Sequence, residues 1–384
     1  FEFSKNIIIF FFGILFNFLK YKFKKILYLF VSIPIFMILF NNYHMKKKSH
    51  NKINYANDIR YSIAPQMKIY DGMGTDYEPY FMFTNRKNYR SDVCNTDING
   101  FRFSSEINNE NDIFKINKKS ENLFLLGAST AFGVGTTKDK YTLSGLLSNQ
   151  SINCFNISGR AYSGFQEILS LLLSLNNFKP SKIVILSGIN DVFLNLKNKN
   201  LNKDAFGSFF FSSNYKSIFN EKKKSLLSFE NIKNFIGFRN SNNVNEFNKN
   251  YFEENKSEIS NVIKRNLEIF GIISKGYNIK ITYCLQPFFN WIKKEPSDNE
   301  MKIVEYLNTK SPDNNIIYNM ISENYEFIKS IYEDSCGKNN IDFLDVNERI
   351  NQKRPDNINV FVDRVHLSNT GTDMVYNIIK DNIK

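Results

Sequence analysis

The sequence predicts an α/β fold: a three-layer α/β/α body on a parallel sheet, preceded by an N-terminal membrane anchor. Two observations predict the body. From residue 122 onward, short apolar runs of strand length recur, and stretches of helical period separate them. Strand alternating with helix requires crossover connections, which make neighbouring strands parallel and put helices on both faces of the sheet. The anchor is predicted by two apolar runs within the first 45 residues.

The first run, Ile7 to Leu19, is apolar apart from Asn17. The second, Ile26 to Phe40, is uncharged throughout, and Asn41 to Tyr43 extend it. A membrane-spanning helix needs about 20 residues, with about 17 near the lower limit. One or two spans are therefore expected in residues 1–45. No small-residue cleavage pattern follows Phe40, which favours a retained anchor over a removed signal peptide. Lys20, Lys22, Lys24 and Lys25 lie between the runs. On the positive-inside rule they put the rest of the chain on the extracytoplasmic side with either one span or two. Lys46 to Lys48 argue for the opposite orientation.

The net charge of +12 is not a nucleic-acid signature. Residues 1–60 hold ten Lys and Arg and two acids, so +8 of the excess lies in and around the anchor. The remaining 40 basic and 36 acidic residues are nearly balanced, too little excess for a phosphate-tracking surface. Cys94, Cys154, Cys284 and Cys336 form no C-x-x-C pair and spell no zinc site. Cys154 and Cys284 lie in expected strands and read as small core residues.

Residues 46–112 read as a polar linker followed by a small, aromatic, β-rich accessory segment that ends near Gly100-Phe101-Arg102. The main domain is expected over 113–384. Its strands are read at Leu123–Leu126, Asn153–Ile157, Ile183–Leu186, Ile279–Leu285 and Asp342–Val346. Its helices are read at Leu143–Ser148, Phe165–Leu175, Glu253–Lys275, Ile316–Tyr332 and Thr370–Ile383. An insertion of about residues 195–250 interrupts it. Connections of that length are lids, binding loops or disordered inserts. Its Phe209-Phe210-Phe211 run would line a substrate wall or dock the insertion onto the domain.

Chemistry-bearing residues gather at the carboxyl ends of the expected strands, where open α/β sheets place their sites. The first strand ends in Gly127-Ala128-Ser129-Thr130. The second is followed by Ser158-Gly159-Arg160-Ala161-Tyr162-Ser163-Gly164, and the third by Ser187-Gly188-Ile189-Asn190-Asp191. Asp363-Arg364-Val365-His366 precedes the last helix. A Ser hydroxyl becomes a nucleophile when a base takes its proton, and that base is normally a His oriented by a carboxylate. The chain has three histidines, and His44 and His50 precede the α/β body, so a His base there is His366.

In order and content these blocks resemble the SGNH hydrolases, also called the GDSL esterase/lipase family, from about Asn122 to the C-terminus. Gly188-Ile189-Asn190-Asp191 matches the family's Gly-x-Asn-Asp and Asp363 to His366 its Asp-x-x-His. Two departures stand out: Ala128 replaces the Asp usual before the Ser, and Ala161 falls where the second block has its Gly, with Gly159 nearby. The resemblance implies a flavodoxin-like sheet, with Ser129 as nucleophile, His366 as base then acid, and Asp363 as its orienting carboxylate. It also implies an oxyanion hole of Asn190, the Ser129 N–H and the N–H of Ala161 or Gly159, with no metal or cofactor. The expected function is a membrane-anchored serine esterase acting on carboxylic esters, foremost O-acyl groups of surface glycans. Acyl transfer or lipid-ester hydrolysis at the same site, and a catalytically inactive glycan-binding module, are the alternatives. A nucleotide-binding reading fails because no G-x-G-x-x-G or G-K-[ST] is present.

Overall fold

The structure is a computed structural model that describes residues 20, 58–104, 113–115, 121–148, 152–197, 209–210, 250–353 and 355–383. Residues 59–384 form one compact unit and residues 1–58 another. The two apolar runs expected to anchor the chain lie outside the described residues. Among the described residues no helix is long and apolar enough to cross a membrane.

The accessory segment contains helices α1 (Ile59–Ile63) and α2 (Met67–Gly72), and a pair of two-residue antiparallel strands, β1 (Thr75–Asp76) and β2 (Thr84–Asn85). It is therefore more helical than the β-rich expectation. Its aromatic residues serve packing instead: Tyr70, Phe81 and Phe83 are buried in loops and helix ends. It belongs to the same compact unit as the main domain.

The main sheet has strands β3 (Glu121–Gly127), β4 (Ile152–Asn156), β5 (Lys182–Ser187), β6 (Lys280–Leu285) and β7 (Asp342–Asp345). All its pairings are parallel, in the order β4-β3-β5-β6-β7. Each expected strand is present within two residues of its expected ends. The period-two alternation splits the core cleanly. Phe124, Leu126, Ile183 and Ile185 face one side, where helices α5 (Gly164–Leu175), α6 (Ile189–Lys197), α7 (Tyr251–Tyr277), α9 (Pro312–Glu323) and α10 (Tyr325–Lys338) pack. Leu123, Leu125, Val184 and Leu186 face the other, against α4 (Leu143–Leu147), α11 (Val346–Lys353) and α12 (Asn369–Asn382). In α7 the buried Ile259, Ile263, Leu267 and Phe270 recur at helical spacing, and each contributes about 1.5–3 kcal/mol of burial.

Helices α6 and α11 were not anticipated, and three further features differ from the expected elements. The single helix expected over 316–332 is two, α9 and α10, broken at Asn324. Helix α8 (Asp298–Lys310) was not anticipated; it starts in a capping box of Ser297 and Glu300. Helix α6 runs through Asn195 to Lys197, so the insertion begins later than expected.

The sheet order is that of the flavodoxin-like doubly wound fold. From β3 the chain first adds β4 on one side, then returns to add β5 on the other. This reversal opens a crevice above the carboxyl ends of β3 and β5, where the small-residue turns lie.

Candidate active site

Ser129 opens α3 (Ser129–Phe132), a single helical turn directly after β3. Gly127 makes the turn possible. Its φ is +142°, and a Cβ there would stand 2.1 Å from the Leu186 carbonyl oxygen of the neighbouring strand. The base comes from the far end of the chain. Asp363, Val365 and His366 form a tight loop in which Asp363 Oδ1 accepts the N–H groups of Val365 (3.0 Å) and His366 (2.9 Å). Asp363 Oδ2 lies 2.6 Å from His366 Nδ1, and His366 Nε2 lies 2.8 Å from Ser129 Oγ. Three residues separated by up to 237 positions thus form one hydrogen-bonded chain.

Burial pushes the Asp363 carboxyl upward. The His366 charge and hydrogen bond, the Val365 N–H and the Arg60 charge outweigh it and hold the pKa down at about 2. The carboxylate is therefore ionised at any pH at which His366 is neutral, and it fixes the Nδ1–H tautomer. That leaves Nε2 to accept the serine proton.

Thr130, next to the serine, ties the two loops together. Its Oγ1 donates to the Val365 carbonyl (3.0 Å) and lies 3.2 Å from Gln286 Nε2, at the end of β6. Asn156, ending β4, donates to the Ala131 carbonyl at 3.1 Å. The turn after α3 is held from the accessory segment. Arg102, fully buried, donates to the carbonyls of Phe132 (3.1 Å) and Gly133 (2.8 Å) and pairs with Asp139 at 2.9 Å. Tyr70 Oη lies 3.0 and 2.9 Å from the Gly133 and Thr136 carbonyl oxygens, which share its one proton, and Gln66 Nε2 donates to the carbonyl of Gly135. Sequence reasoning missed these supports, because nothing in the spacing of Gln66, Tyr70 and Arg102 points to a loop thirty to seventy residues away.

The residues expected to form the oxyanion hole lie in the turns after β4 and β5. Asn190 is the second residue of α6, so it is not the helix cap. One of its amide hydrogens goes to the Tyr162 carbonyl at 2.8 Å, which aims the amide and leaves the second hydrogen to donate. The two second-block candidates separate. Gly159 donates its N–H to the Gly127 carbonyl at 3.1 Å, continuing the sheet, so that N–H is already used. Its lack of a Cβ has another purpose: a Cβ there would lie 2.0 Å from the Tyr162 ring. Ala161 has φ +58°, a left-handed conformation that favours glycine, and the structure gives its N–H no protein acceptor among the described residues. The geometry therefore favours Ala161 over Gly159 as the backbone donor.

Behind these donors lies a buried polar layer that the sequence did not announce. Asp191 accepts the Gly164 N–H at 2.9 Å and the Asn266 amide at 3.0 Å, linking α5, α6 and α7. Ser187 donates to Glu167 at 2.5 Å. Burial, reinforced by the Asp191 charge, pushes the Glu167 pKa up to about 8, with the Ser187 bond opposing. Of the insertion's aromatic run, Phe209 is buried beside Phe81, Phe83 and Tyr162, and Phe210 stacks on Phe193 at 5.9 Å. Both dock onto the oxyanion loop and α6; Phe211 lies outside the described residues.

All four cysteines are buried and unpaired, which agrees with the core reading of Cys154 and Cys284. Among the described residues no group of three His, Cys, Asp or Glu is arranged to hold a metal ion.

No family model matches the chain, and no curated protein does. Similar solved structures include a lipolytic protein of the G-D-S-L family from Veillonella parvula, 8% identical with a TM-score of 0.37, covering 69% of this chain and 98% of that one. An extracellular lipase from Streptomyces rimosus is 10% identical with a TM-score of 0.38, covering 69% and 100%. An acetyl xylan esterase is 13% identical with a TM-score of 0.34, covering 68% and 100%. Likenesses at these scores decide neither fold nor function, which rest on the strand order and the distances given above.

Proposed function

We propose that the chain is a serine hydrolase of the SGNH type acting on carboxylic esters, and that its substrates are O-acyl groups of surface glycans. One observation carries the chemistry: Ser129 Oγ, His366 and Asp363 in a continuous line at 2.8 and 2.6 Å. In this reading Ser129 Oγ attacks the ester carbonyl carbon while His366 Nε2 takes its proton. The carbonyl oxygen becomes an oxyanion, which accepts hydrogen bonds from the free Asn190 amide hydrogen and the N–H groups of Ser129 and Ala161. Collapse breaks the C–O bond, and the leaving alcohol takes the proton from His366. Water then repeats the sequence on the acyl-enzyme and frees the acid. A second alcohol in place of that water gives acyl transfer.

The glycan assignment is supported by the resemblance of the sequence blocks and by the expected anchor, which would hold the domain against surface polymers. The test is a release assay on acetylated oligosaccharides, longer-chain acyl esters and phospholipids, with Ser129→Ala as control. Acetate released from oligosaccharides by the wild type alone supports the reading; preference for phospholipid overturns the glycan part. We further propose that residues beyond Asn51 lie on the extracytoplasmic side, on the ground of the Lys20 to Lys25 cluster. External protease should digest them in intact cells; digestion only after permeabilisation would contradict this.

A further inference from the structure

The loop that supplies the base also holds a cation with no anionic partner among the described residues. Arg364 lies between Asp363 and His366 and is 5% exposed. Its acceptors among the described residues are three amide oxygens: Asn290 Oδ1 at 3.0 Å, Asn315 Oδ1 at 2.6 Å, and Asn308 Oδ1. The guanidinium carbon sits 5.3 Å over the Tyr318 ring. Burial lowers the Arg364 pKa, and the neighbouring Tyr318 and Asp363 offset only part of that effect. The nearest carboxylate in sequence, Asp363, is already bonded to His366.

The amide orientations follow from the chemistry. Arginine only donates, so each asparagine must turn its oxygen toward Arg364 and its NH₂ group away. Those three NH₂ groups have no acceptor among the described residues, and all three asparagines are half-buried. The result is a shell that neutralises no charge and leaves three NH₂ groups to donate. An unneutralised buried cation is costly. Arg364 is two residues from the base, at most about 7.6 Å between Cα atoms.

We propose that Asn290, Asn308 and Asn315, backed by Arg364, form an anion subsite that binds an oxyanion group on the sugar bearing the ester: a carboxylate, sulfate or phosphate. The proposal rests on the glycan-ester reading for its substrate, but binding can be measured without turnover.

The experiment titrates the full chain with unacetylated oligoglucuronate, a sulfated oligoglucoside and the plain neutral oligoglucoside, reading melting temperature. A ligand that binds only the folded state raises it in a saturable way. The acidic oligomers should do so and the neutral one should not; whichever acidic oligomer acts at the lower concentration identifies the anion. In Asn315→Asp a carboxylate pairs with Arg364 and repels the ligand. The apparent affinity should then fall by about tenfold or more, as expected for losing one charge-assisted hydrogen bond. Arg364→Lys, which keeps the charge but cannot hold three amides, should fall similarly. Equal shifts with acidic and neutral oligomers, or an unchanged affinity in Asn315→Asp, would overturn the subsite. If the acidic oligomers bind but neither acetylated counterpart is hydrolysed, the glycan-ester reading fails and the subsite stands.

Discussion

On the base side of the crevice the contacts are short-range: Asp363 holds the backbone N–H groups of Val365 and His366 as well as the imidazole, all within four residues. On the oxyanion side they are long-range. Asn190 is aimed by the Tyr162 carbonyl, and Asp191 is bonded to Gly164 and Asn266, seventy-five residues on. The base needs one tautomer and one distance, and a four-residue loop fixes both. The oxyanion donors must converge from separate strand ends on a charge that exists only during reaction, so they depend on packing between helices. The two sides should therefore fail differently when altered.

The base side should give the larger loss. Asp363→Asn removes the acceptor that fixes the His366 tautomer, and by analogy with serine-protease triads kcat should fall by about 10⁴ with the fold intact. Because the Asp363 pKa is held at about 2, the acid limb of the wild-type pH–rate profile should not belong to Asp363. A pH series of kcat for both proteins checks this; wild-type activity in the variant would assign the orienting role to another group.

On the oxyanion side, Asn190→Ala should lower kcat by about 10²–10³, the cost of one such donor, and leave KM nearly unchanged. Steady-state kinetics with a melting curve decide between roles. A variant with normal kcat and reduced stability would make the Tyr162 contact structural and nothing more.

The smallest effect concerns the layer behind the donors. The Glu167 pKa is raised from 4.5 to about 8, so between those values the folded chain keeps a proton that the unfolded chain releases. Stability is then fully present below about pH 4.5 and declines as the pH rises toward 8. Glu167→Gln cannot titrate and should lose this part of the decline. Denaturant unfolding of both proteins at the two ends of the window measures it; identical declines would show that another group is responsible.

The same contrast governs what could be read from the sequence. Strands β3, β5 and β6 were legible because each contains an apolar run of strand length, whereas β4 and β7 carry Asn and Asp and were legible from the alternation of strand with helix. The line of Ser129, His366 and Asp363 was legible because the body has one histidine and Asp363 sits three residues before it. The supports were not. Arg102 is a fully buried arginine in a segment that reads as aromatic loop, and apart from Asp139 its partners are backbone carbonyls that carry no residue signature. Ala161 and Gly159 could not be separated by spacing, since the difference lies in φ and in which N–H the sheet already uses. Helix α6 was hidden because the insertion's polar composition begins before the helix ends. The Arg364 shell draws on Asn290, Asn308 and Asn315, from three elements, in a chain where asparagine is abundant throughout.

The central claim, that Ser129 is a nucleophile activated by His366, is tested most directly by labelling with a fluorophosphonate, which reacts covalently with an activated serine. One label per chain on Ser129 in the wild type, mapped by peptide mass, and none in Ser129→Ala or His366→Ala of unchanged melting temperature, is the predicted result. Undiminished labelling of folded Ser129→Ala, or a wild type that takes no label, would contradict it.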